Sequence, residues 1–311
     1  MKSDSQYIAI KINKSFMKIF FLFLIILGVN SCDKILNEKS DEYTNENAEI
    51  FIHDGLEREY IINIPESYDS TNSYPLLLNF HGFGGVASLF MRESKMDEVS
   101  DSKNYILVCP QGSLLDGYTH WNAALETPEN KSDVNDLDFI EKLIEHLSSK
   151  YAIDSTRIYA CGFSNGAMFS YALACYTQNK IAAIGSMSGV LLDTSNTCNP
   201  SHEIPLIKFH GTQDEVLPFG GNSEFYSVTD IISYWMNKNN INDASDTLSL
   251  VSENNFSIQK ITHLNSNGIS IENYNINNGG HEWFNLSIDE KNTSQIIWDF
   301  FDRFDLDGRR Y

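Results

Sequence analysis

The sequence predicts an α/β fold in which helices cover both faces of a doubly wound, mostly parallel sheet. The first observation is a set of short, continuous apolar runs, typical of strands that are buried on both faces. These runs span residues 74–80, 105–109, 158–161, 182–187 and 205–209. The second observation is helical spacing of apolar residues between or after the runs. The clearest helical faces are Phe139, Ile140, Leu143, Ile144 and Leu147, and then Ile297, Phe300, Phe301 and Phe304.

The start of the chain is typical of an export signal. Residues 16–29 form an almost unbroken apolar run preceded by lysines, and the run is too short for a comfortable membrane span. It ends at Val29-Asn30-Ser31-Cys32, which is similar to the lipobox of bacterial lipoproteins. We therefore expect a signal peptide over residues 1–32 and lipidation at Cys32, and so a bacterial cell-envelope lipoprotein, periplasmic or at the cell surface. An ordinary signal peptide of a secreted protein and a start at Met17 are the alternatives.

The remainder divides into a tether and one domain. Residues 33–48 are polar and charged, which predicts a flexible tether, and residues 49–311 are expected to form a single catalytic domain. Residues 49–65 alternate apolar and polar side chains around Asp54-Gly55, which predicts a hairpin of edge strands. Residues 256–263 and 268–276 alternate in the same way and are predicted to be strands.

Charge and motifs exclude several classes of protein. A formal net charge of -20 disfavours nucleic acid and gives no reason for adhesion to anionic lipid, so contact with a membrane is expected only through the lipid anchor. Neither a phosphate-binding Gly-x-Gly-x-x-Gly pattern nor zinc-type His and Cys spacing occurs. We expect a monomer without a cofactor or metal.

The strand over residues 158–161 runs into Gly162-Phe163-Ser164-Asn165-Gly166 and then into a helical pattern over residues 165–177. A serine on such a strand-to-helix corner is typical of a nucleophile, because the glycines let neighbouring backbone pass close. We predict that Ser164 is the nucleophile. The amide of Asn165, at the start of the helix, is predicted to form part of an oxyanion hole.

A serine nucleophile needs a base and a carboxylate, which follow it in the order Ser, Asp, His on this fold. Asp214 comes just after the strand over residues 205–209 and is the predicted acid, with Glu215 as the neighbouring alternative. His281 follows Gly279-Gly280 in a loop and is the predicted base, because the other downstream histidine, His263, lies in a strand pattern. The glycine-rich run after the strand over residues 74–80 is predicted to supply a second oxyanion amide, that of Phe83.

The cysteines divide by their surroundings. Cys109 and Cys161 lie in predicted strands and are expected to be small buried hydrophobic residues. Cys175 and Cys198 remain as candidates for one disulfide in an oxidising compartment, although the sequence alone does not establish that their geometry allows it.

Six short motifs together resemble the polyhydroxybutyrate depolymerase and feruloyl esterase family of α/β-hydrolases. They are His81-Gly82-Phe83-Gly84-Gly85, Pro110-Gln111-Gly112, Trp121-Asn122, the serine motif 162–168, His210-Gly211-Thr212-Gln213-Asp214 and Gly280-His281. The resemblance spans residues 49–304. It implies an α/β-hydrolase fold, a Ser164–Asp214–His281 triad, a bridge between Cys175 and Cys198, and a pocket wall at Trp121. Family members often carry paired Asp where this chain has Asn135-Asp136, which puts the capping of one helix in doubt.

The expected function is that of an exported serine carboxylic ester hydrolase acting through an acyl-enzyme. Its expected substrates are short acyl or feruloyl esters of polysaccharide, as in carbohydrate degradation, with aromatic walls at Phe83, Trp121 and Trp283. A serine peptidase of the same fold, similar to prolyl oligopeptidase, and a polyester depolymerase are alternatives. A binding protein without activity is disfavoured, because it would have no use for a complete triad.

Overall fold

The computed structural model describes residues 47–124, 132–192, 198–242 and 245–310, and ten strands of this part form one sheet. The strands of the sheet are β1 (Glu49–His53), β2 (Leu56–Asn63), β3 (Tyr74–Phe80), β4 (Ile106–Pro110), β7 (Ile153–Phe163), β8 (Ala183–Met187), β9 (Leu206–Gly211), β10 (Ser245–Val251), β11 (Ser257–Leu264) and β12 (Ser270–Ile276). Short two-stranded ribbons are formed by β5 (Ser113–Leu115) with β6 (Tyr118–His120), β13 (Ser287–Ile288) with β14 (Lys291–Asn292), and β15 (Phe304–Asp305) with β16 (Gly308–Arg309).

The strand order is β1-β2-β4-β3-β7-β8-β9-β12-β11-β10. The six central strands pair in parallel, in the order β4-β3-β7-β8-β9-β12. The strands at the two edges, β1 and β2 on one side and β11 and β10 on the other, pair antiparallel. The predicted fold class is therefore confirmed. At the first hairpin, Asp54 and Gly55 both adopt positive φ angles, 49° and 75°, the backbone that a tight two-residue hairpin requires.

Helices cover both faces of the sheet. They are α1 (Ala87–Ser94), α2 (Met96–Lys103), α3 (Asp136–Lys150), α4 (Asn165–Tyr176), α5 (Val228–Lys238) and α6 (Thr293–Phe301). Apolar residues of α3, α4 and α5 share one core with one face of the sheet, and those of α1, α2 and α6 share a second core with the other face. Helix α4 is apolar on nearly its whole circumference and only its last residue is not buried, so the helix that follows Ser164 lies inside the domain.

Two local expectations are settled at the ends of helices. Helix α3 is capped by Asn135, whose side-chain oxygen accepts the N–H of Asp138 at 3.1 Å, so asparagine serves as the cap here. The expected helical face at the C-terminus wrongly includes Phe304. Helix α6 ends at Phe301, and Phe304 lies in β15, where its carbonyl accepts the hydroxyl of Tyr159 at 2.7 Å.

The cysteines of the described region comprise two free thiols and one disulfide. Cys109 and Cys161 are free and buried in the second core. A disulfide joins Cys175, near the end of α4, to Cys198, with 4.5 Å between the Cα atoms.

All the described residues belong to one compact unit, Asn45–Tyr311. The predicted signal segment, Cys32 and most of the predicted tether lie outside the described residues. No helix in the described ranges has the length and apolar character that crossing a membrane requires.

Candidate active site

Ser164 lies on a strained corner between a strand and a helix. Strand β7 ends at Phe163 and helix α4 begins at Asn165, and Ser164 between them has φ 51° and ψ −116°. A positive φ is costly for a residue with a side chain, so the surroundings must hold it in place. One such contact is the N–H of Ser164, which donates to the carbonyl of Met187 on β8 at 2.9 Å.

The two glycines that flank the corner are required by close backbone contact. A Cβ atom on Gly166 would lie 2.2 Å from the carbonyl oxygen of Phe80, and one on Gly162 would lie 2.5 Å from the backbone of Gly166. No side chain fits at such distances. The first turn of α4 therefore packs directly on the end of β3, and the Ser164 side chain is presented at the carboxyl ends of the parallel strands.

The structure brings the three predicted triad residues together. Ser164 Oγ lies 2.8 Å from His281 Nε2, and His281 Nδ1 lies 2.8 Å from Asp214 Oδ2. Since a carboxylate accepts, Nδ1 carries the proton and Nε2 is free to accept the serine hydroxyl. The imidazole is thus in the tautomer that a general base for Ser164 requires.

Asp214 is held in place from both sides of its carboxylate. Oδ2 faces His281, and Oδ1 accepts the N–H groups of Val216 at 2.9 Å and Leu217 at 2.8 Å. Burial by itself raises the pKa of Asp214, but the hydrogen bond and charge of His281 and the amide of Leu217 outweigh it, so this pKa lies below its ordinary value. Asp214 is therefore ionised at neutral pH.

The loop that carries His281 is fastened to neighbouring segments. Ser188 donates its hydroxyl to the carbonyl of Glu282 at 2.9 Å, and the N–H of Gln213 donates to the carbonyl of Gly279 at 2.9 Å. The second bond ties the histidine loop to the loop of Asp214. The distance between acid and base is thus set by the backbone as well as by the side chains.

A buried histidine organises the glycine-rich loop after β3. His81 Nε2 accepts the N–H of Gly112 at 3.0 Å, so the proton lies on Nδ1, which donates to the carbonyl of Gly82 at 2.7 Å. Burial lowers the pKa of His81 to about 4, which keeps the ring neutral. The loop leading to Phe83 is therefore fixed by a neutral imidazole and not by an ion pair.

Asn165 is fixed at the start of α4 by an amide pair. Its side-chain oxygen accepts the N–H of Trp121 at 2.8 Å, and its NH₂ donates to the carbonyl of Trp121 at 3.0 Å. The side chain of Asn165 thus points into the interior. Its backbone N–H is one of the amides at the N-terminus of α4 that have no partner within the helix.

The structure corrects the placement of Trp121. Its indole has no exposed surface and stacks on Phe169 at 5.0 Å between ring centroids, while Nε1 donates to the carbonyl of His81 at 3.2 Å. It supports the loop from inside the core and does not line an open pocket. Trp283 is half-buried and packs edge-on against Phe90 at 5.3 Å.

Two aromatic rings near the candidate site were not singled out from the sequence. Phe163, half-buried, tilts against the imidazole of His281 at 5.1 Å, and Tyr118, 39% exposed, stacks with Phe83 at 5.6 Å. The signal for Phe163 is its position as the variable residue before Ser164. Tyr118 gives no sequence signal, because a ribbon between separate strands brings it to Phe83.

Among the described ranges, one group of His and Asp side chains lies close enough to be considered for a metal. It consists of His53, Asp54 and Asp138, whose ligand atoms lie within 4.8 Å of one another. His53 Nε2 lies 2.7 Å from Asp138 Oδ2, an ordinary hydrogen-bonded pair, and the group shares no residue with the triad. It does not enter the chemistry of Ser164.

A serine on a strand-to-helix corner, joined through histidine to a buried aspartate, defines the serine hydrolases of the α/β-hydrolase fold. Comparison with protein-family models matches residues 67–239 to the family described as phospholipase/carboxylesterase. The chain belongs to this family. The prediction of an α/β-hydrolase similar to feruloyl esterases is confirmed by this match together with the relatives that follow.

Curated relatives include a probable feruloyl esterase C of Aspergillus terreus, 28% identical over 78% of this chain and 83% of that protein. Feruloyl esterase B of Piromyces equi is 25% identical over 80% of this chain, which spans 46% of that relative's length. An acetyl xylan esterase from Aspergillus awamori has a similar fold, with a TM-score of 0.58, 16% identity and coverage of 79% of this chain and 94% of that one.

We expect Gly166→Ala to disrupt the corner, because the new methyl group would clash with the carbonyl of Phe80, whose strand is fixed between two neighbours in the sheet. The free energy of unfolding should fall by about 3 kcal/mol or more, as measured by urea denaturation. Gly220→Ala is the matched control, since nothing lies within 4 Å of its added Cβ. Equal stabilities for the two variants would show that the close packing does not constrain the corner.

Proposed function

We propose that this protein is an exported serine carboxylic ester hydrolase that works through an acyl-enzyme. The observation that carries the proposal is the unbroken chain of hydrogen bonds from Ser164 through His281 to Asp214, each 2.8 Å long. Membership of the phospholipase/carboxylesterase family supports the same reaction class.

In the proposed reaction, Ser164 Oγ attacks the ester carbonyl while His281 Nε2 takes its proton. Asp214, ionised and buried, stabilises the imidazolium that forms. The tetrahedral intermediate carries an oxyanion, for which the backbone N–H groups of Asn165 and Phe83 are the proposed donors. His281 then gives the proton to the leaving alcohol, which departs and leaves the acyl-enzyme. In the second half, His281 Nε2 takes a proton from water as the water attacks the acyl carbonyl. It then returns that proton to Ser164 Oγ as the bond from the acyl carbon to Oγ breaks and the carboxylic acid leaves.

We further propose that the acyl group is short or is a flat hydroxycinnamoyl group such as feruloyl, attached to polysaccharide. The rings of Phe83, Tyr118 and Phe163, partly exposed near the catalytic loops, support this choice because flat groups stack on aromatic rings. Trp283, two residues after His281, is a proposed further wall. The names of the relatives, feruloyl esterases and an acetyl xylan esterase, support the same class.

Ser164→Ala should abolish hydrolysis of p-nitrophenyl acetate, because it removes the nucleophile from a site that is otherwise intact. A loss of kcat by about four orders of magnitude is expected. Ser149→Ala, on the exposed surface of α3, is the control and should keep full activity. Retention of more than about a tenth of the wild-type rate would exclude Ser164 as the nucleophile.

The substrate class predicts a ranking of kcat/KM for wild-type protein. Acetyl and feruloyl esters should exceed a long-chain acyl ester and a proline-containing peptide amide. Tyr118→Ala should lower kcat/KM for the feruloyl ester by about tenfold, the value of one lost ring contact, and leave the acetyl ester unchanged. A higher kcat/KM for the peptide would favour a peptidase, and one for the long-chain ester a lipase. Hydrolysis of a solid polyester film, run alongside, tests the depolymerase alternative.

Export and anchoring form the last part of the proposal. Acylation at Cys32, which lies outside the described residues, would hold the domain at a membrane through more than one lipid chain. Cys32→Ser should move the protein from the membrane fraction to the soluble fraction, with unchanged esterase activity. Wild-type protein that is wholly soluble and has an unmodified mature N-terminus would refute the anchor and leave the esterase proposal untouched.

A further inference from the structure

A lysine lies fully buried behind the triad acid. Lys208 is on β9, in a strand whose other residues are apolar apart from His210, and its side chain has no exposed surface. Its Nζ lies 2.5 Å from the carbonyl of Gly189 and 3.2 Å from His210 Nδ1. A buried amine costs folding free energy, so its presence in the core calls for a compensating role.

His210 connects this lysine to Asp214. His210 Nε2 lies 2.8 Å from the carbonyl of Leu217 and 3.4 Å from Asp214 Oδ2. Because a carbonyl only accepts, the proton of His210 must be on Nε2, and Nδ1 must be the acceptor. Lys208 is the donor to Nδ1. The same oxygen of Asp214 therefore faces two imidazoles, those of His210 and His281.

The charge state of Lys208 depends on its burial and on the groups that surround it. Burial lowers the pKa of Lys208 to about 7, and the charge of Asp214 opposes that shift. Burial and the neighbouring Lys208 lower the pKa of His210 to about 3, so His210 is neutral. On the adjacent strands, Ser186 of β8 and Asn273 of β12 are in register with Lys208 and carry no charge.

We propose that Lys208 is a positioning residue for the esterase proposed above, on which this inference rests: its N–H at Nδ1 holds the ring of His210 in the position that keeps Asp214 aimed at His281. Without that donor, Nδ1 would be a buried acceptor with no partner, which favours movement of the ring. A ring that moves takes its Nε2–H away from both Asp214 Oδ2 and the Leu217 carbonyl. The carboxylate would then lose one of its neighbours and shift, and with it the geometry of His281.

The test is Lys208→Met, which keeps the length of the side chain and removes its N–H groups. With p-nitrophenyl acetate, kcat should fall about tenfold with KM unchanged, since a small misplacement of a catalytic group acts on the transition state. Tm should change little, because removal of a buried amine offsets the two acceptors left without a donor, the Gly189 carbonyl and His210 Nδ1. The low-field proton resonance of the His281–Asp214 hydrogen bond should shift. Lys142→Met, on the exposed surface of α3, is the control for all three measurements.

Two further variants keep the inference falsifiable if Lys208→Met does not fold. Lys208→Gln retains an N–H donor and should keep at least about a third of wild-type kcat. In a His210→Phe background, substitution of Lys208 should have no further effect on kcat, because the path to Asp214 is already cut. Two results would overturn the inference. The first is a folded Lys208→Met variant whose kcat and low-field resonance are those of the wild type. The second is a Lys208 substitution that lowers kcat in the His210→Phe background by the same factor as in the wild type. Failure of the proposed function itself is distinguished by wild-type protein that does not cleave the ester.

Discussion

The close contact between the first turn of α4 and the end of β3 is the constraint on which the rest of the site depends. Gly166 rests against the carbonyl of Phe80 and Gly162 against the backbone of Gly166, so any side chain at either position would push the helix away. That contact holds Ser164 at φ 51° and leaves its hydroxyl at the carboxyl ends of the strands. A strained backbone persists only where the surroundings over-determine it, and here a central strand and a nearly fully buried helix do so.

Around this corner the site is assembled from segments that are far apart in the chain. The acid and base loops follow β9 and β12, neighbouring parallel strands, so both loops leave the sheet at the same edge as Ser164. The backbone bond from Gln213 to Gly279 joins the two loops directly. Asp214 is charged in a buried place because two amides and one imidazole satisfy its oxygens.

Neutral polar groups, not ion pairs, hold the segments that carry Phe83 and Asn165. His81 holds the glycine-rich loop in a single tautomer, and the side chain of Asn165 pairs with the backbone of Trp121. Hydrogen bonds between neutral groups fix direction without adding a charge to these segments. Asp214 is the ionised group that contacts the imidazole of His281 directly.

The sequence by itself determined the features that depend on local pattern. Apolar runs predicted the parallel strands, Asp54-Gly55 predicted the hairpin, and the order of Ser164, Asp214 and His281 along strand ends predicted which side chains meet. These follow from periodicity and turn chemistry, which a short stretch of chain contains. Only the tertiary structure decided which side chains turn inward. It buried Trp121 under the glycine-rich loop and not in the expected pocket wall, brought Tyr118 to Phe83, and placed Lys208 behind Asp214 through His210. Such placements arise from packing between strands and helices distant in sequence, and no local pattern encodes them.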